Sequence, residues 1–536
     1  MPPASSYLMT LGAAINILSP LVRIPLGQGG IFLPRKLPIF YSAILLTGVN
    51  LLLRLVSTSF QVYLSGQIGA AGIGLVQLVM SVGALAMTAG MGGIRTATMY
   101  LTAEELGKKR PQNVTWVLSG CFLYSILCSG MVAAALYFAA PFLAENWIGD
   151  VQVVGALRLF ALFLPLVCLC GCMTGYFTAA NRIGTLAAVE VCEQVCYMAV
   201  TMTLLTLWAR QDATKACAAV VLGSGIGTAF TLCTLVLLRL REKSKTGPRI
   251  PVASRLLRTA VPLAIADDVK SGISNTENLM VPRRLALYPG EQNALATFGT
   301  VCGMVFPVLM FPAAILFALA ELLIPELARC NAAGSSLRIR YLAQKSLRLA
   351  MLYGCLCAGI LYLIAQPLCI ALYGSTDAGK YLQLYSLLIP MLYCDAVTDA
   401  MVKGLGQQTA SVRYNICTSA MDVALLFLLL PHYGMQGYFF SFLVTHLLNF
   451  LLSLRRLLKI TKLKLPLYVP MLCCASTLLG AIGGSFILGI PGRIFGFLGI
   501  WGSLLVLFGI LSREDLRWLR GLLGKKRPAE MAGLKS

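Results

Sequence analysis

Long apolar segments repeat along nearly the whole chain and restrict it to one class of fold. Hydrophobic residues make up 58% of the 536 residues and charged residues only 12%, about half the charged share of a typical soluble protein. Fourteen segments approach the ~20 residues that a helix needs to cross a bilayer. The sequence therefore predicts an all-α integral membrane protein. The predicted spans are 39–63, 73–94, 114–138, 157–177, 185–207, 216–238, 256–280, 298–324, 347–368, 382–402, 416–430, 438–454, 465–487 and 494–511.

Positive charge is divided unequally between the two sides of the predicted bundle. The chain has a formal net charge of +22 and 43 lysines and arginines. Most of them lie in the N-terminal stretch, in the connections after even-numbered spans and in the tail. This asymmetry predicts a cell-membrane protein with both termini in the cytoplasm. It also directs the basic charge toward anionic membrane lipids and not toward nucleic acid. The opposite connections carry only Arg210, Lys215, Arg283, Arg284, Lys380 and Arg493.

The chain divides into two halves with equal numbers of spans. Its longest basic connection, 239–258, has six spans before it and six after it, and a final pair follows. The segment LRLFALFLP at 157–165 resembles LQLYSLLIP at 382–390, which favours internal duplication over a chance likeness of leucine-rich sequence. Six spans per half place both halves in the same orientation, related by an axis along the membrane normal.

These features predict two pseudo-symmetric six-helix lobes around a central cavity, plus a C-terminal helix pair. The predicted organisation is a cytoplasmic or interfacial extension at 1–38, an N-lobe at 39–240, a basic cytoplasmic linker at 241–255, a C-lobe at 256–458, a helix pair at 459–511 and a basic cytoplasmic tail at 512–536.

The seventh span carries an unusual concentration of charge: Asp267, Asp268, Lys270 and Glu277. Ionisable groups at bilayer depth are costly unless they pair or face water. Asp267 and Lys270 are three residues apart, so they either form an internal ion pair or line a cavity. That pair leaves Asp268 and Glu277 uncompensated. Both are candidates for taking up H⁺ or coordinating Na⁺.

Further acids lie inside other predicted spans, among them Asp422 in the eleventh. Glu190 and Glu193 are in the fifth span, and Asp395 and Asp399 are in the tenth. Asp395 and Asp399 are four residues apart and would repel each other if both were charged. This spacing favours an aqueous cavity, a bound cation or a shared proton. A polar lining of this kind inside an apolar bundle indicates transport of something hydrophilic.

Arginines near or within spans are candidates for binding an anion. Arg54 lies deep in the first span, where it either anchors the opposite lobe or binds phosphate through its planar, bidentate fork. Arg95 follows a glycine-rich stretch and adds a second positive charge. Arg283 and Arg284 lie at the outer end of the seventh span.

Several other functions are disfavoured. No GxxxxGK[ST] motif occurs, so the chain is not expected to hydrolyse ATP. Two histidines and 18 cysteines, with no repeated CxxC pair, predict no metal site. The predicted extracellular connections are short and leave no room for a catalytic domain. A membrane enzyme such as a glycan polymerase is therefore the least favoured interpretation. We expect a monomer without a cofactor.

Three stretches resemble the stage V sporulation protein B family of polysaccharide-type flippases, within the multidrug/oligosaccharidyl-lipid/polysaccharide (MOP) exporter superfamily. They are residues 157–195, the region from AVPLAIADD to LLIPELAR at 260–329, and KGLGQQTASVRYN followed by LPHYGMQGYFF at 403–440. The resemblance implies export of an undecaprenyl-pyrophosphate-linked oligosaccharide or peptidoglycan precursor. Arg54 and Arg95 correspond most nearly to the cavity arginines of lipid II flippases, whereas the eighth span lacks the arginine that those flippases carry there. The same fold also supports an alternative, a cation-coupled multidrug extruder.

The charge asymmetry predicts the topology directly. In a cysteine-depleted variant, single cysteines introduced near Lys245 and Lys525 should react with membrane-impermeant reagents only from the cytoplasmic side. A cysteine near Asp212 should react only from outside. Labelling of the Lys245 and Asp212 positions from the same side would contradict the fourteen-span map.

Overall fold

The computed structural model describes residues 39–510 except 109, 181, 210–211, 242–252, 333, 464–467 and 488. Within these residues the chain is built from helices, without β-strands, so the predicted all-α class is confirmed. Nine helices in this part of the chain are long and apolar enough to cross a membrane. The full count of fourteen spans stays a prediction.

The described residues form two compact units. The first contains the residues up to Met304 together with Asp422–Gly437. Its N-terminal part folds into helices α1 (Ile39–Met91), α2 (Ile94–Gly107), α3 (Val114–Leu143), α4 (Val154–Ala179), α5 (Ile183–Leu204), α6 (Ala213–Leu240), α7 (Ala253–Leu285) and α8 (Ala294–Phe298). Short π segments follow α3, α5 and α8 at Ala144–Ile148, Leu205–Ala209 and Gly299–Val305. Single 3-10 turns precede α3 and α4 at Pro111–Asn113 and Val151–Val153.

The second unit contains the described residues of Val305–Met421 and those from Tyr438 onward. Its helices are α9 (Phe306–Met310), α10 (Ala313–Ala332), α11 (Ser336–Tyr373), α12 (Thr376–Ser386), α13 (Ile389–Gly404), both ends of α14 (Gln408–Thr461), α15 (Tyr468–Ser485) and α16 (Ile490–Leu507). The lobe boundaries expected from the sequence stay a prediction.

Helices α1 and α14 are too long for single crossings. They contain 53 and 54 residues, which as straight helices would each extend about 80 Å, more than twice the thickness of the hydrocarbon layer. A glycine with positive φ interrupts each helix, at Gly69 (φ 70°) and Gly434 (φ 55°). Glycine adopts this conformation readily because it has no Cβ. Each of these helices therefore accommodates two consecutive predicted spans.

Proline interrupts two other predicted spans. The eighth, 298–324, divides into the Gly299–Val305 segment, α9 and α10, with a turn at Phe311 and Pro312. The tenth divides between α12 and α13, and Pro390 occupies the first turn of α13. Proline lacks an amide hydrogen and its ring clashes with the preceding helical turn. Pro165, the counterpart of Pro390 in the predicted repeat, lies inside the continuous helix α4, so the two matched segments differ locally.

The beginning of α7 packs within the first unit. Leu256 and Ala260 of α7 belong to one buried cluster with residues of α2, α3 and α4. These buried apolar side chains fill the space between the helices by close packing. Cys121 and Cys172 are fully buried members of this cluster, which accords with a packing role for the cysteines. The remaining members are Ile94, Ala97, Leu101 and Val117.

Glycine allows α1 to approach the segment after α8 very closely. A Cβ added at Gly299 would overlap the carbonyl oxygen of Ala70 and lie 2.6 Å from the backbone nitrogen of Gly74. A Cβ at Gly74 would in turn overlap the carbonyl oxygen of Leu295. Small residues at such crossings let two backbones meet, which is a common way of packing helices in membranes.

This crossing predicts a difference between two Gly→Ala substitutions. Gly299→Ala should lower the thermal unfolding temperature, because overpacking against a backbone costs about 1–3 kcal/mol. Gly272→Ala, also within a helix but with no atom within 4 Å of the added Cβ, should leave it unchanged or raise it, because alanine is the better helix former. Thermal unfolding of both variants in detergent checks this expectation. Equal unfolding temperatures would show that the Gly299 crossing contributes nothing.

Candidate functional site

A break in the helix of the second predicted span creates the first polar feature of the N-terminal unit. Gly92 and Gly93 have φ values of 48° and 68° and separate α1 from α2. Their conformation leaves carbonyl groups without helical partners. The Tyr124 hydroxyl donates to the Gly92 carbonyl at 3.2 Å, and the Cys128 thiol donates to the Ala89 carbonyl at 3.6 Å. Side chains of α3 therefore satisfy the interrupted backbone inside the bundle.

Arg95 lies in the first turn of α2, immediately after this break. Its side chain is exposed within the unit, and its charge interacts with the carboxylate of Glu190 on α5. The glycine break therefore places a cation within electrostatic range of one of the acids predicted as site residues.

Glu190 lines a cavity of about 380 Å³. Glu193, one turn after Glu190, accepts a hydrogen bond from the Thr228 hydroxyl at 3.1 Å. Gln194 donates to the Ser57 hydroxyl of α1 at 3.2 Å. The cavity is thus polar on the side formed by α5. Its lining residues are Leu53, Met80, Glu190, Glu193, Gln194, Tyr197 and Ser224.

Helix α7 faces the same break with a second series of polar groups. The Thr88 hydroxyl lies 2.9 Å from the Ser271 hydroxyl, and the Asn275 amide donates to the Ser271 carbonyl at 2.8 Å. Asp268 interacts electrostatically with Tyr124 and Cys128, the two side chains that satisfy the broken backbone. Asp268 therefore belongs to the polar interior of the first unit.

The other acid of α7 is paired with a carboxyl group. Glu277 forms a side-chain hydrogen bond with Asp422, which lies in the part of α14 that belongs to the first unit. Because ionised carboxylates only accept hydrogen bonds, two carboxyl groups can bond to each other only when they share a proton. This pair can therefore exchange a proton, or its oxygens can exchange that proton for a hard cation.

The two acids predicted in the tenth span have separate partners in the second unit. Both oxygens of Asp395 lie 3.1 Å from the Asn449 amide nitrogen, and His446 Nδ1 lies 3.8 Å from Oδ2. Asp399 forms an ion pair with Lys403 at 2.6 Å and accepts a hydrogen bond from Ser411. Lys403 is the cation that compensates Asp399. The spacing of the two acids alone did not identify it.

Some predicted site residues lie elsewhere or outside the described residues. Arg283 is exposed, and the Arg284 guanidinium lies 3.2 Å from the centroid of the Phe427 ring, a cation–π contact. The side chains of Arg54, Asp267 and Lys270 lie outside the described residues, so the expected Asp267–Lys270 pair and the role of Arg54 stay predictions.

Sequence reasoning missed several polar residues of the cavity. Gln194, Ser224 and Thr228 are neutral residues in apolar spans and give no electrostatic signal. Lys403 was detectable, because a lysine four residues after an aspartate on a helix is a regular ion-pair spacing. The Glu277–Asp422 pair joins distant parts of the chain, and no local pattern indicates it.

Comparisons with known proteins agree with this architecture. No protein-family model matches the chain. Stage V sporulation protein B of Bacillus subtilis (strain 168) is 21% identical over 500 residues, covering 88% of this chain and 96% of that protein. The structure of the lipid II flippase MurJ in an inward closed conformation has a TM-score of 0.64 and 12% identity, covering 90% of this chain and 100% of that one.

A multidrug resistance MATE family transporter of the MOP superfamily, in an inward-facing conformation, has a TM-score of 0.61 and 14% identity. The match covers 78% of this chain and 99% of that one. The chain therefore has the fold of the MOP superfamily transporters and is a multi-pass membrane protein. Its predicted resemblance to the stage V sporulation protein B family is confirmed.

Proposed function

We propose that this protein is a flippase that moves an undecaprenyl-pyrophosphate-linked oligosaccharide or peptidoglycan precursor from the cytoplasmic to the outer leaflet by alternating access. The observation that carries the proposal is the polar cavity of about 380 Å³ in the first unit, with Glu190 and Glu193 in its wall and Arg95 within electrostatic range of Glu190. The similarity to stage V sporulation protein B and the fold shared with MurJ support it.

The proposed substrate poses a defined physical problem. Its diphosphate-sugar head cannot enter hydrocarbon, because burying unpaired charge is very costly. Its polyprenyl tail is apolar and can remain in the lipid. A cavity with charged and hydroxyl-bearing walls replaces water around the head during its passage, and the tail need not enter the protein.

Arg95 is the proposed diphosphate ligand among the described residues. A guanidinium binds phosphate oxygens through two parallel hydrogen bonds. The Arg95 charge acts on the Glu190 carboxylate, so an arriving diphosphate would compete with that carboxylate for the same cation. The acid has a role in this exchange. It keeps the arginine charge from being left uncompensated once the substrate has left.

A second function, extrusion of cationic drugs coupled to a cation gradient, is favoured by the same two acids. Glu190 and Glu193 line the cavity and could bind an organic cation directly. The two functions make opposite demands on Arg95, which attracts a diphosphate but repels a cation. Arg95 therefore discriminates between them.

The role of Arg95 predicts the outcome of its substitution. Arg95→Gln should reduce flipping of a fluorescent polyprenyl-diphosphate glycolipid in proteoliposomes at least about tenfold, because a charge-assisted hydrogen bond contributes about 1.5–3 kcal/mol. Arg95→Lys should also impair it, because an ammonium lacks the bidentate fork. Arg158→Gln is the matched control, since the Arg158 guanidinium packs over the Tyr137 ring and is not one of the charges that act on Glu190.

Wild-type flipping by Arg95→Gln would exclude Arg95 as the diphosphate ligand. Unchanged or improved export of a cationic dye by the same variant, without glycolipid flipping by the wild type, would favour the multidrug function instead.

We further propose that the Glu277–Asp422 pair couples transport to H⁺ or Na⁺. The pair holds an exchangeable proton between two carboxyl groups inside the first unit. Loss of that proton leaves two adjacent carboxylates, which repel each other unless a cation enters. Asp268 is a second coupling candidate because it lies at the break between α1 and α2.

Glu277→Gln should abolish the dependence of transport on pH or Na⁺, because the glutamine amide donates permanently to Asp422 and mimics the protonated pair. Transport rates in proteoliposomes across imposed pH and Na⁺ gradients measure this dependence. Glu145→Gln, at an exposed acid outside the pair, should behave as wild type. Retention of the wild-type ion dependence by Glu277→Gln would leave the pair with a structural role only.

A further inference from the structure

A second cavity, of about 370 Å³, lies in the other unit, where α13 ends and α14 begins. The chain leaves α13 at Gly404 and reverses direction through Gly406, whose φ is 77°. Only glycine adopts this conformation without strain. The cavity is lined by Gly406, Gln407, Thr409, Ala410, Arg413, Tyr414 and Arg456.

Two arginines from opposite ends of α14 converge on this cavity. Arg413 follows the first turn of the helix, and Arg456 lies near its other end. Arg456 donates from Nε to the Gln407 carboxamide oxygen at 3.2 Å and also bonds to it through Nη2. This partner is neutral. Within the described residues, neither arginine forms an ion pair, and the nearby Asp399 already pairs with Lys403.

The start of α14 adds to this positive character. Gln407 occupies the N-cap position, but its side chain does not cap the helix, because its oxygen accepts from Arg456. The Gln407 carbonyl accepts from the amides of Ala410 and Ser411, which form the first turn of α14. Helix N-termini with free amides favour anions.

The charge distribution along the chain assigns this cavity to the cytoplasmic side. Its residues come from the connection between the tenth and eleventh predicted spans and from the connection after the twelfth. Both belong to the basic side of the map. That leaflet contains the anionic lipids that attract arginines and lysines near the membrane surface.

We propose that this cavity binds a phosphate group, either in the headgroup of an anionic lipid or as a free phosphate. The Arg456 fork is held in position by Gln407 and presents its remaining donors to the phosphate oxygens. Arg413, the Thr409 hydroxyl and the Tyr414 hydroxyl complete the ligand set, since all three residues line the cavity. The site is separate from the polar cavity of the first unit and does not depend on what that cavity transports.

The test uses the purified full-length protein with two probes. Phosphatidylglycerol, titrated in detergent and followed by native mass spectrometry, represents the lipid source, and inorganic pyrophosphate represents the free source. The double variant Arg413→Gln/Arg456→Gln should weaken binding at least about tenfold, because it removes two charge-assisted contacts. Each single variant should weaken it by a smaller factor, which provides a measurement if the double variant is unstable.

Arg455→Gln is the matched control. Arg455 is adjacent in sequence and exposed, but it does not line the cavity. Its substitution should change affinity less than twofold. Binding of phosphatidylglycerol alone identifies a lipid headgroup site, and binding of both probes identifies a general phosphate site. Wild-type affinity of the arginine variants for both probes, or an equal loss in Arg455→Gln, would overturn the proposal.

Discussion

Backbone groups and charges that this chain carries into the membrane need a partner or water inside the protein, because hydrocarbon offers neither. The rest of the structure depends on this constraint. The backbone interrupted at Gly92 and Gly93 is satisfied by Tyr124 and Cys128, and α7 supplies Asp268 close to the same point. A helix break that would be intolerable against lipid thus becomes a polar centre within a bundle. It also places Arg95 in the first turn of α2, immediately after the break.

The same constraint explains why the fold was largely predictable and the site only in part. Bilayer crossing imposes a length and an apolar composition on each span, and both can be read locally. The kinks at Gly69 and Gly434, where α1 and α14 turn, fall between predicted spans for the same reason. The buried acids could also be singled out from the sequence, because charge inside a span is costly wherever the span packs.

The partners of those acids were less predictable. Glu277 bonds to Asp422, and Asp395 is held by Asn449, through contacts between helices distant in sequence. Pairings of this kind arise from tertiary packing, which the hydrophobic periodicity of the sequence does not reveal. Lys403, which compensates Asp399, is the exception, since it lies one helical turn away on the same helix. The Arg456–Gln407 contact, which forms one wall of the second cavity, could likewise not be predicted from the sequence.

The central claim is that the protein moves a diphosphate-linked glycolipid and not an organic cation. The most direct test is the wild-type protein in proteoliposomes, assayed in parallel for flipping of a fluorescent polyprenyl-diphosphate glycolipid and for export of a cationic dye. The account predicts that the protein accelerates glycolipid flipping well above protein-free vesicles and does not export the dye. Dye export without glycolipid flipping would contradict it.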